Sequence, residues 1–288
     1  MKIPQFWARG TAEDIDRSGK KISFSCWRWS HESEQDARQR AVDAARRVLV
    51  RLQNGEKPDR YLYGQQPLRE EKLRELRNTK GDVTAIITRN SYGCEILNAA
   101  AALFIDIDIP KSSLYQNIVY FLTKRINQQT LSPRKRAETT IRARLDHFVG
   151  SHSNWGLRVY RTFGGMRCLA THALFEPSSS DTQHILEILG SDPLYNRLCR
   201  WQDSFRARLT PKPWRCGHYA NVIHYPWEDA NQQLTFEDWH QQYITASQNF
   251  ATCHLLGTIG NEVIHPELEE IVTFHDRETK CLQSIQLA

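Results

Sequence analysis

The chain has 288 residues, 40% hydrophobic and 25% charged, a make-up that supports a sizeable buried core and excludes a largely disordered chain. No run approaches about 18 uninterrupted apolar residues, and the segment Met1 to Gly10 has a charge at Lys2 but no apolar stretch of signal-peptide length, so neither membrane spanning nor secretion is expected. Seven cysteines scattered from Cys26 to Cys281 without a CxxC fit a reducing cytoplasm better than a disulfide framework, and the net charge of +5 is compatible with nucleic acid or nucleotide phosphates without requiring them.

Lys20 to Trp29 alternates residue types as a strand does, and Ser33-Glu34-Gln35-Asp36 then resembles a capping box. Ala41, Ala44, Ala45, Val48, Leu49 and Leu52 recur at helical spacing after it. Arg38, Arg46, Arg47 and Arg51 occupy other positions, and Gly55 offers a stop, so an amphipathic helix laid on a sheet is predicted. Its arginines read as a solvated face before they read as a phosphate stripe. From Asn54 to Lys80 the chain is polar and punctuated by Pro58, Gly64 and Pro67, a connector with a short helix near Leu68 to Leu76.

Strand-like sequence resumes at Val83 to Thr88 and at Leu103 to Ile109, with turn chemistry at Asn90-Ser91-Tyr92-Gly93 between them. Ala137, Ile141, Leu145, Phe148 and Val149 mark a second amphipathic helix, preceded by Ser132-Pro133 and the basic run Arg134-Lys135-Arg136. Leu157 to Thr162 and Met166 to Leu174 read as two strands joined through Phe163-Gly164-Gly165. A helix around Thr182 to Leu189, a strand at Phe205 to Leu209, and a helical and irregular region from Tyr219 onward complete the series. The organisation expected is α+β, with an N-terminal strand-helix module over residues 1–80, a core domain over 81–218 and a C-terminal extension over 219–288.

Chemistry concentrates in three places. In Phe104-Ile105-Asp106-Ile107-Asp108-Ile109, alternation sends the isoleucines to one face and Asp106 and Asp108 to the other. Two carboxylates side by side on an apolar strand ask for a cation, either a divalent metal or a group of arginines. Oxygen-only ligands favour Mg²⁺ or Mn²⁺; the plainer alternative is an exposed strand end that forms salt bridges. In Arg158 to His172, two strands present Arg161 and Arg167 on either side of a glycine turn that permits close approach of backbone or phosphate. Phe205-Arg206-Ala207-Arg208-Leu209 places Arg206 and Arg208 on one face, followed by Lys212, Arg215 and His218. Such arginines either pair with the aspartates or clamp phosphates. Cys216-Gly217-His218, with Cys199, Cys253 and His254, matches no compact zinc-ligand spacing.

Residues from about Thr84 to Arg215 resemble the archaeo-eukaryotic primase, or primase-polymerase, superfamily. The resemblance lies in the hydrophobic-Asp-hydrophobic-Asp strand at Phe104 to Ile109, the glycine-containing strand pair at Tyr160 to His172, and the Arg-rich strand with proline at Phe205 to Pro213. It implies an RRM-like antiparallel core with packed helices. It also implies metal binding by Asp106 and Asp108, and phosphate binding by Arg161, Arg167, His172, Arg206, Arg208, Lys212 and Arg215. The family's second motif carries a histidine shortly after the glycine turn, where this chain has Arg167, with His172 several residues later. A third metal-binding acid is not evident, Asp203 being a poor fit. The function expected by resemblance is nucleotide or nucleic-acid handling, with metal-dependent nucleotidyl transfer if active. The alternative is a non-catalytic nucleic-acid- or protein-binding module built on an Asp/Arg cluster.

Overall fold

The computed structural model describes residues 1–16, 19–56, 67–127 and 129–288. Pro58 and Gly64, expected to punctuate the connector, lie outside the described residues.

The chain begins with a hairpin, β1 (Phe6–Ile15) paired antiparallel with β2 (Lys21–Ser30), of which sequence patterning had shown the second strand alone. Ala8, Gly10 and Ala12, with Cys26 and Phe24 opposite the last two, form the face covered by α1 (Glu34–Gln53). A β-carbon on Gly10 would lie 2.4 Å from the backbone nitrogen of Val42, so glycine is what lets helix and hairpin touch. Ser33 caps α1 by accepting from the Asp36 N–H, and Gly55 follows the helix at φ +81°.

Next come β3 (Glu71–Arg77), β4 (Val83–Arg89), β5 (Glu95–Ala99) and β6 (Phe104–Asp108). The helix expected near Leu68 to Leu76 is instead strand β3. Its register against β4 shifts between Lys72 and Arg74, so Leu73 and Leu76 both reach the core at a three-residue spacing that imitates a helix. The Asn90 side chain accepts from the N–H groups of Tyr92 and Cys94, closing the turn before β5. Helices α2 (Leu114–Ile126) and α3 (Pro133–Gly150) follow, the latter with Ser132 as cap and Pro133 at its first position. Patterning missed α2 because its apolar residues form no buried stripe; Leu114, Tyr115, Ile118 and Phe121 are all exposed.

Strands β7 (Gly156–Thr162) and β8 (Gly165–Ala170) form the expected hairpin. They lead to α4 (Ser180–Ile188), α5 (Pro193–Gln202) and β9 (Phe205–Arg208). The remainder holds α6 (Ala230–Ser247), β10 (Phe250–Ala251), β11 (Cys253–Gly260), α7 (Glu269–Glu278) and β12 (Gln286–Leu287), so the region after Tyr219 is not merely helical and irregular. β11 pairs with β7, Cys253 opposite Thr162, as an integral strand of the main sheet.

The α+β class is as expected, with the larger sheets antiparallel and four-stranded, in the orders β3-β4-β5-β9 and β11-β7-β8-β6. Pairing crosses residue 80, between β3 and β4, and residue 218, between β7 and β11. In the second sheet, register puts Phe104, Asp106, Arg167 and Tyr160 on one face and Ile105, Ile107, Met166, Cys168, Val159 and Arg161 on the other. α3 lies over the isoleucine face, where its Glu138 binds Arg161. α7 covers the Phe104 end of the opposite face through His275, leaving the aspartate end open toward β9. Among the described residues, no helix is long and apolar enough to cross a membrane.

Candidate functional site

A cleft of about 580 Å³ opens between the two four-stranded sheets, lined by Asp106, Asp108 and Arg167 from one and Arg206 and Arg208 from the other. Lys212 and Arg215, on the turn after β9, complete the basic wall. Tyr195 of α5 fixes the spacing of the sheets: its hydroxyl donates to the Phe104 carbonyl (2.9 Å) and accepts from the Arg206 N–H (3.4 Å). Arg167 adds a second stitch, donating from Nη1 to the Arg208 carbonyl at 3.0 Å. The glycine pair brings the β7–β8 turn against the acidic strand. A β-carbon on Gly165 would lie 2.0 Å from the Ile107 carbonyl oxygen, and one on Gly164 would lie 3.4 Å from Asp108 Oδ1.

The acidic wall is crowded with like charge. The Asp108 carboxyl is pushed above its ordinary value, first by partial desolvation and then by the charges of Asp106 and Asp192. Asp192 is held close because its N–H donates to the Asp106 carbonyl at 2.8 Å, while its own carboxylate caps α5. The nearest cation to Asp106 is Arg167, at 3.8 Å from Nε to Oδ1, and that buried Nε makes no hydrogen bond. This is too long for a bidentate arginine–carboxylate pair. A group raised in the folded state contributes most when protonated, so ionised Asp108 costs stability increasingly as pH rises above the ordinary 3.8 and through the folded value. Asp108→Asn is therefore expected to raise the thermal midpoint at neutral pH by up to a few degrees, and to flatten its decline with pH, as scanning calorimetry would show.

The basic wall mirrors this. Burial and the charges of Arg208 and Arg215 lower the Lys212 ammonium, and burial and Arg208 lower the Arg215 guanidinium. Among the described residues, Arg208, Lys212 and Arg215 have no ion-pair partner, and the Arg208 Nε is buried without a hydrogen bond. Lys212 rests over the Trp214 ring and Arg215 over the Phe163 ring, at 5.4 and 4.2 Å to the centroids. Arg206 differs: it is buried and bound to Glu70 and Asn98 at 2.7 and 2.6 Å.

Behind the cleft a buried relay sets the position of Arg167. Its Nη1 lies 3.3 Å from His275 Nε2, and His275 Nδ1 lies 3.1 Å from Asp276 Oδ1. A guanidinium can only donate, so Nε2 must accept and Nδ1 must carry the proton given to Asp276. Burial, with Arg167 adding to it, lowers His275 to about 4, consistent with a neutral ring. Asp276 is raised by burial, but hydrogen bonds from His275 and Tyr160 and the Arg158 charge outweigh this and hold it below its ordinary value. Sequence reading missed His275 and Asp276, which carry no local motif, and likewise Glu70, Tyr195 and Asp192.

The cleft thus gathers Asp106, Asp108, Arg167, Arg206, Arg208, Lys212 and Arg215, but not Arg161 or His172. Arg161 sits on the helix-covered face, bonded to Glu138 at 2.8 Å. His172 lies beyond the far end of β8, its ring against Trp155 and its Nδ1 near the Gly156 N–H. Asp203 caps α5 in a left-handed conformation, φ 52°, next to the N-terminal amine, a structural post. All seven cysteines are free, and burial raises Cys94, Cys168, Cys199, Cys216, Cys253 and Cys281 above their ordinary value, the reverse of an activated thiol.

Among the described residues no group of three or more His, Cys, Asp or Glu side chains is placed to hold a metal. Asp106 and Asp108 nevertheless fit a magnesium or manganese site, since such ions are commonly held by one or two carboxylates, with waters and substrate phosphates completing the shell. The mutual repulsion that raises Asp108 is what a bound cation would relieve. No family model, no curated protein and no solved structure matches this chain.

Proposed function

We propose that this chain is a primase-polymerase-like protein that binds a nucleoside triphosphate with Mg²⁺ or Mn²⁺ in the cleft and, when active, transfers nucleotidyl groups. An RRM-like core in the β11-β7-β8-β6 sheet is part of this reading. The observation that carries it is the paired frustration of the cleft, with carboxylates crowded on one wall and unpaired cations on the other. A metal–triphosphate would relieve both walls: Asp106 and Asp108 would hold the cation, and Arg208, Lys212 and Arg215 would take the phosphates.

In the transfer step an acceptor hydroxyl oxygen bonds to the α-phosphorus as the bond to the pyrophosphate oxygen breaks, and the hydroxyl proton passes to solvent or base. The metal, when bound, supplies Lewis-acid stabilisation of the charge on the reacting phosphate. Arg208, Lys212 and Arg215 hold the triphosphate and offset the charge that develops on the leaving pyrophosphate. Arg167, held by His275 and the Arg208 carbonyl, keeps a positive charge beside Asp106. The Phe163 and Trp214 rings hold Arg215 and Lys212 in place before the ligand arrives.

The test is equilibrium binding of a fluorescent nucleoside triphosphate in Mn²⁺. Lys212→Ala and Arg215→Ala are each expected to weaken it about tenfold or more, the worth of one charged hydrogen bond. Unchanged affinity in both would remove the basic wall from ligand binding. A second reading, a non-catalytic module in which arginine neutralises the aspartates, is favoured by the Arg167–Asp106 contact at 3.8 Å. It expects no specific metal site, which separates the two.

A further inference from the structure

The face of the N-terminal hairpin turned away from α1 carries Trp7, Arg9 and Thr11, paired with Trp29, Trp27 and Ser25. A second cavity, of about 570 Å³, lies on this face, walled by Trp7, Trp27, Tyr225 and Trp227. Trp7 is about nine-tenths buried, and the indole N–H groups of both Trp7 and Trp227 are buried without hydrogen-bond partners. With those nitrogens closed off from solvent, what the cavity wall offers a ligand is aromatic ring surface rather than N–H groups.

The charges at the rim favour a base over a phosphate. Arg9 is ion-paired with Glu228 and Arg38 with Glu34, so the charges lining the cavity cancel. What remains is flat aromatic surface, which suits the π-face of a nucleobase. The cavity also neighbours the cleft. Arg69 lines the cleft while its guanidinium lies 4.7 Å above the Trp27 ring of the second cavity, and His224 of the cleft adjoins Tyr225.

We propose that this cavity binds an unpaired base of a single-stranded nucleic acid whose backbone passes along the seam at Arg69 toward the cleft. The identity of the occupant rests on the nucleotide-handling reading of the cleft; the aromatic cavity does not. Duplex is disfavoured, because stacked and paired bases present no free face to the indoles.

The test uses the full chain and a labelled single-stranded oligothymidylate of about 20 nucleotides, compared with a duplex of equal length. Wild type should prefer the single strand, Trp27→Ala should weaken it about tenfold, the loss typical of one stacked base, and Trp27→Phe should retain most of the affinity. Mn²⁺-triphosphate binding should be unchanged in Trp27→Ala. Photocrosslinking of an iodouracil-substituted strand to the wild-type protein should label a peptide containing Trp27 or Trp227, independently of how well any variant folds. Oligonucleotide affinity insensitive to Trp27, or crosslinks elsewhere alone, would overturn the proposal while leaving the cleft reading intact. Trp27-dependent strand binding without any metal–triphosphate binding would sink the cleft reading instead.

Discussion

Glu70→Ala is expected to destabilise the protein by about 3–5 kcal/mol, measured as a lower denaturant midpoint with an unchanged slope. Arg206 and Glu70 are both more than nine-tenths buried and bind each other at 2.7 Å. The second Glu70 oxygen accepts from the Thr88 hydroxyl, and Arg206 reaches Asn98 with its other nitrogen. Removing the carboxylate leaves a guanidinium in the interior with its charge uncompensated, the costly way to break such a pair. Removing both partners, in Glu70→Ala with Arg206→Leu, should recover much of the loss, because the isolated charge is then gone. A double variant no more stable than Glu70→Ala would mean that the pair is not coupled. The same geometry ranks the arginines of β9: triphosphate affinity should depend more on Arg208 than on Arg206, whose donors are already engaged.

His275→Leu is expected to cost about 1–3 kcal/mol near neutral pH, because it removes the acceptor facing buried Arg167 and one of the donors to the largely buried Asp276, which keeps Tyr160 and Arg158. It should also change the shape of the stability–pH curve. In the unfolded chain His275 takes up a proton near 6.5, whereas the folded ring resists until about 4. The stabilising difference is fully present above the unfolded value and is lost as pH falls toward the folded one. Asp276, held below its ordinary 3.8, adds a loss in the same direction at still lower pH. Wild type should therefore lose stability between about pH 6.5 and 4, where His240, likewise lowered to about 4 by burial and Arg89, adds to the loss, and His275→Leu should show a shallower decline across that window. An equally steep decline in the variant would assign the acid lability to other groups.

Much of the acidic strand was legible because strand alternation has a period of two: a run of hydrophobic and aspartate residues fixes which face each side chain takes before any neighbour is known. The glycine pair was legible for a related reason, since few residues fit a turn whose β-carbon would meet backbone at 2.0 Å. β3 was misread as a helix because its bulge spaces Leu73 and Leu76 as a helix would. The partners of the site were not legible at all. Glu70 is 136 residues from Arg206, and His275 is 108 from Arg167, and no local pattern announces a contact made only by folding. This is also why Arg206 and Arg161 read like Arg208 in sequence, yet of these three Arg208 alone has a buried nitrogen without a partner.

The most direct test of the cleft is calorimetric titration of Mn²⁺ into wild type and into Asp106→Asn/Asp108→Asn, with and without a nucleoside triphosphate. Wild type should bind the ion with a proton release that grows as pH falls toward the raised value of Asp108, and more tightly when the triphosphate is present. The double variant, folded and no less stable, should lose that binding in both conditions. Absence of Mn²⁺ binding by wild type with or without the triphosphate, or equal binding by the double variant, would contradict a metal–nucleotide site at Asp106 and Asp108.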